Sequence, residues 1–223
     1  MRSTIGNPAR PAGTLSTGTG SGRLARVTGQ PAPVARPTLV GQVVTVRPGT
    51  LNDVGPLLDV RSQASVTRWW GPPDPPAELI RELVGEEPQE GDAVLLVLDV
   101  AGEVAGAVQY SEEPDPQYRH AGIDIFVGEK WQRQGVGTEA VWLVARFLFE
   151  HRGHHRITID PSVENEPAAR TYLAVGFQPV GIMRRYERGP DGSWHDGLLL
   201  DLLRDDLAPW PDPTRRRGRH SGA

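Results

Sequence analysis

The sequence predicts an α/β fold, a mixed β-sheet of about seven strands flanked by four helices in the order βααβββαβαββ. Three observations carry this prediction. Runs rich in β-branched residues alternate with apolar stripes of helical period from about residue 43 to residue 207. The dipeptide Ala101-Gly102 joins two apolar runs in the manner of a hairpin turn. A glycine loop, Gln132-Arg133-Gln134-Gly135-Val136-Gly137-Thr138, leads from a strand into a long helix.

The elements follow in chain order. Val43-Val44-Thr45-Val46-Arg47 reads as an opening strand closed by Pro48. Thr50 with Asp53 three positions on has the form of a helix start, and Leu51, Val54, Leu57, Leu58 and Arg61 continue as a helical stripe. Pro72 to Pro76 breaks the chain before a second short helix over Glu78–Val84. Asp92–Val100 and Glu103–Tyr110 are the hairpin strands, and Gly122–Val127 is the next strand. Thr138–His151 is apolar on most sides and predicts a largely buried helix. Arg156–Asp160 is a strand, and Pro167–Val175 a helix ended by Gly176. Two last strands, about Val180–Glu187 and Trp194–Leu203, flank the turn Pro190-Asp191-Gly192.

Composition places limits on the partners. Residues 1–42 hold five arginines and no acid, and 208–223 hold four arginines and one aspartate. The segment between carries 15 basic and 27 acidic residues, a net charge of −12. An acidic domain with thin basic tails is a poor nucleic-acid binder and suits a cationic substrate. Residues 1–42, rich in Gly, Pro, Ser and Thr, are expected to be a disordered arm, and 208–223 a basic flexible tail on the 43–207 domain. No run has the length of a membrane span and no secretory leader is visible. The chain has no cysteine, which excludes disulfides, thiolate metal sites and cysteine nucleophiles and fits the cytoplasm. His151, His154 and His155 crowd one helix-to-strand junction without the further ligands of a metal site, so no metal is expected.

The glycine loop has the geometry of an anion nest. Glycines allow a tight turn, several backbone N–H groups point one way, and the positive end of a helix dipole lies behind them. No Gly-Lys-Ser/Thr follows, so it is not a Walker loop, and the third glycine of a dinucleotide fingerprint is missing.

The strand Ile123–Val127, this Gln-x-x-Gly-x-Gly loop and the segment from Asp160 to Phe177, with Asn165, Tyr172, Gly176 and Phe177, resemble the acetyl-CoA-binding core of the GNAT acetyltransferase superfamily. The resemblance covers about Val43 to Leu203. It implies that Gln132, Arg133, Gln134, Gly135, Val136, Gly137 and Thr138 cradle the CoA pyrophosphate. It also implies that Ile125, Phe126, Val127 and Asn165 border the pantetheine arm where two strands part. Within the superfamily the chain is most similar to the aminoglycoside 6′-N-acetyltransferases, through Arg68-Trp69-Trp70-Gly71, Gly106-Ala107-Val108-Gln109-Tyr110, Gly122-Ile123-Asp124 and Asp160-Pro161-Ser162. After Gly176 the Arg184–Asp196 hairpin resembles ribosomal-protein and related small-molecule N-acetyltransferases instead.

Amine acetylation needs a bound acyl thioester, a neutral amine and a path for protons. Asp124 sits on the strand entering the cleft and Asp160 ends the next parallel strand, so that two carboxylates could attract a polycation and one could take up its proton. The resemblance makes Tyr172 the acid for the departing CoA thiolate. Trp69 and Trp70 are candidates for a flat wall against a sugar ring, since two adjacent residues of a strand or loop cannot both face inward. Gln109 and Tyr110 offer polar groups at a strand end. The expected co-substrate is acetyl-CoA and the expected acceptor a small cationic amine, an aminoglycoside, with the protein a monomer or homodimer. Another amine, such as a protein N-terminus or a siderophore lysine, is the alternative, and a non-catalytic acyl-CoA sensor is the rival outside catalysis.

Overall fold

Val94–Val100 is apolar on both faces, and the sheet is built around it. The structure, a computed structural model, describes residues 36–85, 91–189 and 191–210. Its strands are β1 (Leu39–Val40), β2 (Thr45–Pro48), β3 (Val94–Val100), β4 (Glu103–Glu112), β5 (Ala121–Val127), β6 (Arg156–Ile159), β7 (Gln178–Arg188) and β8 (Trp194–Leu203). Its helices are α1 (Val54–Arg61), α2 (Ala64–Trp70), α3 (Pro76–Val84), α4 (Val136–Glu150) and α5 (Glu166–Val175). One eight-stranded sheet runs in the order β1-β2-β3-β4-β5-β6-β8-β7. Its pairs are antiparallel except β5 with β6.

Strand alternation sorts the side chains into two layers. Val94, Leu96 and Leu98 join the larger core with α4 and α5, whereas Leu95 and Val97 pack with Leu57, Val66, Leu79 and Leu83 of α1, α2 and α3. Helix α4 buries residues on most of its circumference, as its composition predicts. Ala101 (φ 53°) and Gly102 (φ 86°) both lie at positive φ, the backbone of the tightest hairpin turn. No helix among the described residues is long and apolar enough to cross a membrane.

Two elements exceed the sequence prediction. The sheet has eight strands rather than about seven, because Leu39–Val40 pairs with Val46 and Thr45. A two-residue strand between Pro37 and Gly41 has no local pattern to reveal it. Among the described residues there are five α-helices rather than four, because Ala64–Trp70 is helical. Its Val66, Thr67 and two tryptophans are indifferent helix formers. Tertiary contacts hold it instead: Val66 is buried, and the Arg61 guanidinium donates to the carbonyls of Trp70, Gly71 and Pro72 at the helix end.

The domain also reaches beyond the expected limits of 43 and 207. Residues 42–44 are tied to α4 through Glu139, and Ala208 donates its N–H to Val175 O and accepts from Trp142 Nε1 at 2.8 Å. Trp210 packs on Trp142, with ring centroids 5.2 Å apart. The arm over 1–35, the tail beyond Trp210 and Pro190 of the hairpin turn lie outside the described residues.

Gly176 ends α5 at φ 118°, and a Cβ there would stand 2.0 Å from the carbonyl oxygen of Asp206. Gly176→Ala is therefore expected to cost about 3 kcal/mol, the sum of left-handed strain and a backbone collision. Chemical denaturation should show a lower midpoint at unchanged m-value.

Candidate active site

The site is made where two parallel strands part. Strand β5 pairs with β6 only at Ala121↔Ile157 and Gly122↔Thr158. Beyond Gly122 it keeps its antiparallel partner β4, through Asp124↔Gln109 and Phe126↔Ala107, but has no β6 partner. The chain after β6 turns instead onto β8, where Leu198 donates to Pro161 O at 2.8 Å. One backbone edge of Ile123–Val127 thus faces a gap, which is how Ile125, Phe126 and Val127 border the split. The Phe126 side chain itself is core, edge-on to Trp70 at 5.2 Å.

The glycine loop stands at the mouth of this split. Gly135 caps α4 at φ 85°, and the first helix bond runs from Glu139 N–H to Gly135 O. The N–H groups of Val136, Gly137 and Thr138 therefore have no carbonyl within the helix. A Cβ at Gly137 would meet only Val127 and Thr171 side chains, at 3.6 and 3.9 Å. The fold has room for a methyl there, and the first-turn N–H groups are not covered by it. Two glutamines expected to hold the cofactor hydrogen-bond to the protein through their side chains. Gln132 Nε2 donates to Val127 O at 2.9 Å and Ser65 Oγ at 3.3 Å, and Gln134 Nε2 donates to Lys130 O. Arg133 is exposed at φ 59°. Asn165 is an N-cap whose side-chain oxygen accepts from Ala168 N–H at 3.3 Å.

Asp124 projects from β5 and accepts from Gln109 Nε2 at 3.0 Å. Burial pushes its carboxyl up to about 6; the Gln109 hydrogen bond opposes this, and the charges of Asp160 and Glu187 reinforce it. Asp160 is raised by burial, with a hydrogen bond from Tyr186 opposing, and its Oδ2 is buried without a hydrogen-bond partner. Tyr172 is buried, and desolvation together with the charges of Asp124 and Asp160 drives its hydroxyl well above the ordinary range. The three side chains are thus within electrostatic reach of one another, and each is biased toward its protonated form.

A pocket of about 240 Å³ opens beside them, lined by Arg68 and Trp69 of α2, Ser162 and Glu164 after β6, and Glu187, Gly189, Asp191 and His195 of the β7–β8 hairpin. Glu187 is raised by burial and by the charge of Asp160, so the pocket and the aspartates share one field. Sequence reasoning missed Glu187, Glu164 and Asp191. Alternation along Arg185-Tyr186-Glu187 was readable, but not the strand's position beside the split. Asp191, Ser193 and His195 cluster at the hairpin tip, yet Ser193 Oγ and Asp191 Oδ1 both meet His195 Nε2, at 2.9 and 3.0 Å. A catalytic triad needs the two on different ring nitrogens. Among the described residues no three His, Cys, Asp or Glu side chains are gathered as a metal site requires. His154 lies 3.2 Å from Glu112, and His151 stacks on Phe147.

Two expected pocket residues pack against the cores, Tyr110 fully buried and Trp70 half-buried. Tyr110 is 1% exposed and packs edge-on to Phe147, because alternation sends it to the face opposite Gln109. Trp70 packs on Phe126 beneath the Arg61 guanidinium, because consecutive helical residues point about 100° apart. Trp70→Ala is expected to cost about 3 kcal/mol of stability. Trp69→Ala should leave the melting temperature within a few degrees and weaken acceptor binding alone. Melting curves and acceptor titrations of the two variants measure this division.

The comparisons with known proteins fit this geometry. The chain is 25% identical over 107 residues to the ribosomal protein uS5-alanine N-acetyltransferase of Escherichia coli strain K12, a match covering 48% of this chain and 55% of that protein. It thus spans about half the length of that curated relative. It is 26% identical over 164 residues to the aminoglycoside N(6′)-acetyltransferase type 1 of Klebsiella pneumoniae, covering 67% of this chain and 79% of that one. The fold is that of Mycobacterium smegmatis RimJ, solved in complex with CoA-disulfide, at TM-score 0.67 and 24% identity over 80% of this chain and 90% of that chain. The model of the acetyltransferase (GNAT) domain matches residues 44–178, more than half of the sequence and all of the split-strand and glycine-loop region, and the chain belongs to this family.

Proposed function

We propose that the protein is a cytoplasmic, acetyl-CoA-dependent N-acetyltransferase whose acceptor is a primary amine of a small polycation, the 6′-amine of an aminoglycoside, acetylated by direct attack in a ternary complex. The observation that carries this reading is the electrostatic coupling of Asp124 and Asp160 to Glu187, which lines a pocket together with Trp69 and Glu164. Acidic groups and one flat aromatic suit a cationic sugar. The longer match to the aminoglycoside enzyme supports the same acceptor.

The open N–H groups of Val136, Gly137 and Thr138 and the space above Gly137 fit a diphosphate, and the gap along Ile123–Val127 fits an extended amide arm. When bound, acetyl-CoA supplies the acyl thioester. Asp160 and Glu187 hold the ammonium by charge. Asp124, with its carboxyl at about 6, is mostly ionised at neutral pH and takes up the amine proton through water. A C–N bond forms as the C–S bond breaks, and Tyr172, kept protonated by its surroundings, gives its proton to the sulfur.

Thiol release from acetyl-CoA, measured with kanamycin, tobramycin, spermidine and an alanine-starting peptide, tests the proposal. Saturable release with the aminoglycosides is the expected result. Release with the peptide alone would move the acceptor to a protein N-terminus, in line with the ribosomal-protein relatives. CoA binding without any amine-dependent release would make the protein an acyl-CoA sensor.

A further inference from the structure

A buried carboxylate lies one residue beyond the glycine nest and has no part in the chemistry above. Glu139 is 1% exposed. Its Oε1 accepts from Gln42 N–H at 2.7 Å, and its Oε2 accepts from Val43 and Val44 N–H at 2.7 and 2.8 Å. Three successive backbone donors of the β1–β2 connection therefore close on one side chain of the first turn of α4. Gly41 is shaped to this arrangement, since a Cβ there would stand 2.5 Å from the Glu139 carboxyl and 2.8 Å from Val44 O.

We infer that Glu139 is a positioning residue for the cofactor, a clamp that holds the first turn of α4 in register so that its N–H groups are preformed for a diphosphate. The inference rests on the glycine loop being the CoA site. The physical need comes from the glycines themselves. Gly135 and Gly137 leave that turn open to a ligand, but they also remove the side chains that would stiffen it, and helix ends with glycine fray. A nest that must be ordered by its ligand binds more weakly than one already ordered. Burying a charge is costly unless it is fully hydrogen-bonded, and three charge-assisted bonds meet that condition here. The clamp thus restores from the sheet edge the rigidity that the loop sequence gives up.

The test uses the full chain and CoA in titration calorimetry. Glu139→Gln keeps the size but sets an NH2 group against at least one backbone N–H donor. Gly41→Ala displaces the carboxylate without removing it. Val97→Ala, in the opposite core layer, serves as a control for simple destabilisation. Glu139→Gln and Gly41→Ala are expected to raise the CoA Kd by roughly tenfold and to speed amide exchange at Val136, Gly137 and Thr138. Val97→Ala should lower the melting temperature and leave the Kd alone. An unchanged or tighter Kd in folded Glu139→Gln or Gly41→Ala overturns the clamp, leaving a structural role or a charge that opposes the diphosphate. Failure of the unmodified chain to bind CoA overturns the functional proposal itself.

Discussion

Asp124→Asn should be more stable than the unmodified protein at pH 7.5 and nearly inactive. The carboxyl rises from 3.8 to about 6 on folding, chiefly through desolvation. A group raised in the folded state contributes its full stability below the unfolded value, and loses it as pH climbs through the folded value. Ionised Asp124 therefore opposes folding above pH 6, by about 2 kcal/mol once partial solvent access is allowed for. Asparagine keeps the size, accepts from Gln109 through its oxygen and carries no charge. A gain of roughly 4–8 °C at pH 7.5 follows for a chain of this length, vanishing near pH 4. Turnover should fall by about 10²–10⁴, as expected when a general base is lost. For the unmodified protein, kcat/KM should drop as pH falls through about 6, where Asp124 becomes protonated. A fully active Asp124→Asn would remove the carboxylate from the mechanism, and a lower melting temperature would make it a structural strand residue. Asp160→Asn is expected to act mainly on acceptor KM, more strongly at low ionic strength.

Gly137→Asp should abolish CoA binding while the protein stays folded. The position is helical and its neighbours lie 3.6 and 3.9 Å from a built Cβ, so the side chain projects into space that the fold does not use. There it would place a negative charge in the anion nest, beside N–H groups that an Asp at a helix start can itself accept. Gly137→Ala separates bulk from charge. At this first-turn position alanine should change stability by less than about 1 kcal/mol, yet its methyl narrows the approach to the nest and weakens CoA. Calorimetric Kd and melting temperature for both variants decide the matter. Unchanged CoA affinity in folded Gly137→Asp would remove the basis for the cofactor site.

The loop could be read without coordinates because its features are local. A turn needing positive φ selects glycine at 135, and a helix start with free N–H groups follows within three residues. Asp124 was legible by its place on the strand entering that loop. The remaining site residues depended on where side chains point. Alternation and helical rotation are regular, but their phase is fixed by which face is buried. Tyr110 and Trp70, both polar-edged aromatics, therefore pack against the cores, while Gln109 turns to Asp124 and Trp69 to the pocket.

By itself the sequence determined the order of the elements other than β1 and α2, the mixed sheet, the glycine loop and the acidic character of the domain, all of which arise from local pattern or composition. Only the tertiary structure decided what distant segments do to one another. Pairing drew Leu39–Val40 onto the sheet and Arg61 closed the end of α2. The β7–β8 hairpin brought Glu187 beside Asp160, and Glu139 met N–H groups about 96 residues earlier in the chain. Such contacts leave no periodic trace, because their partners are fixed by how the sheet and helices pack and not by sequence spacing.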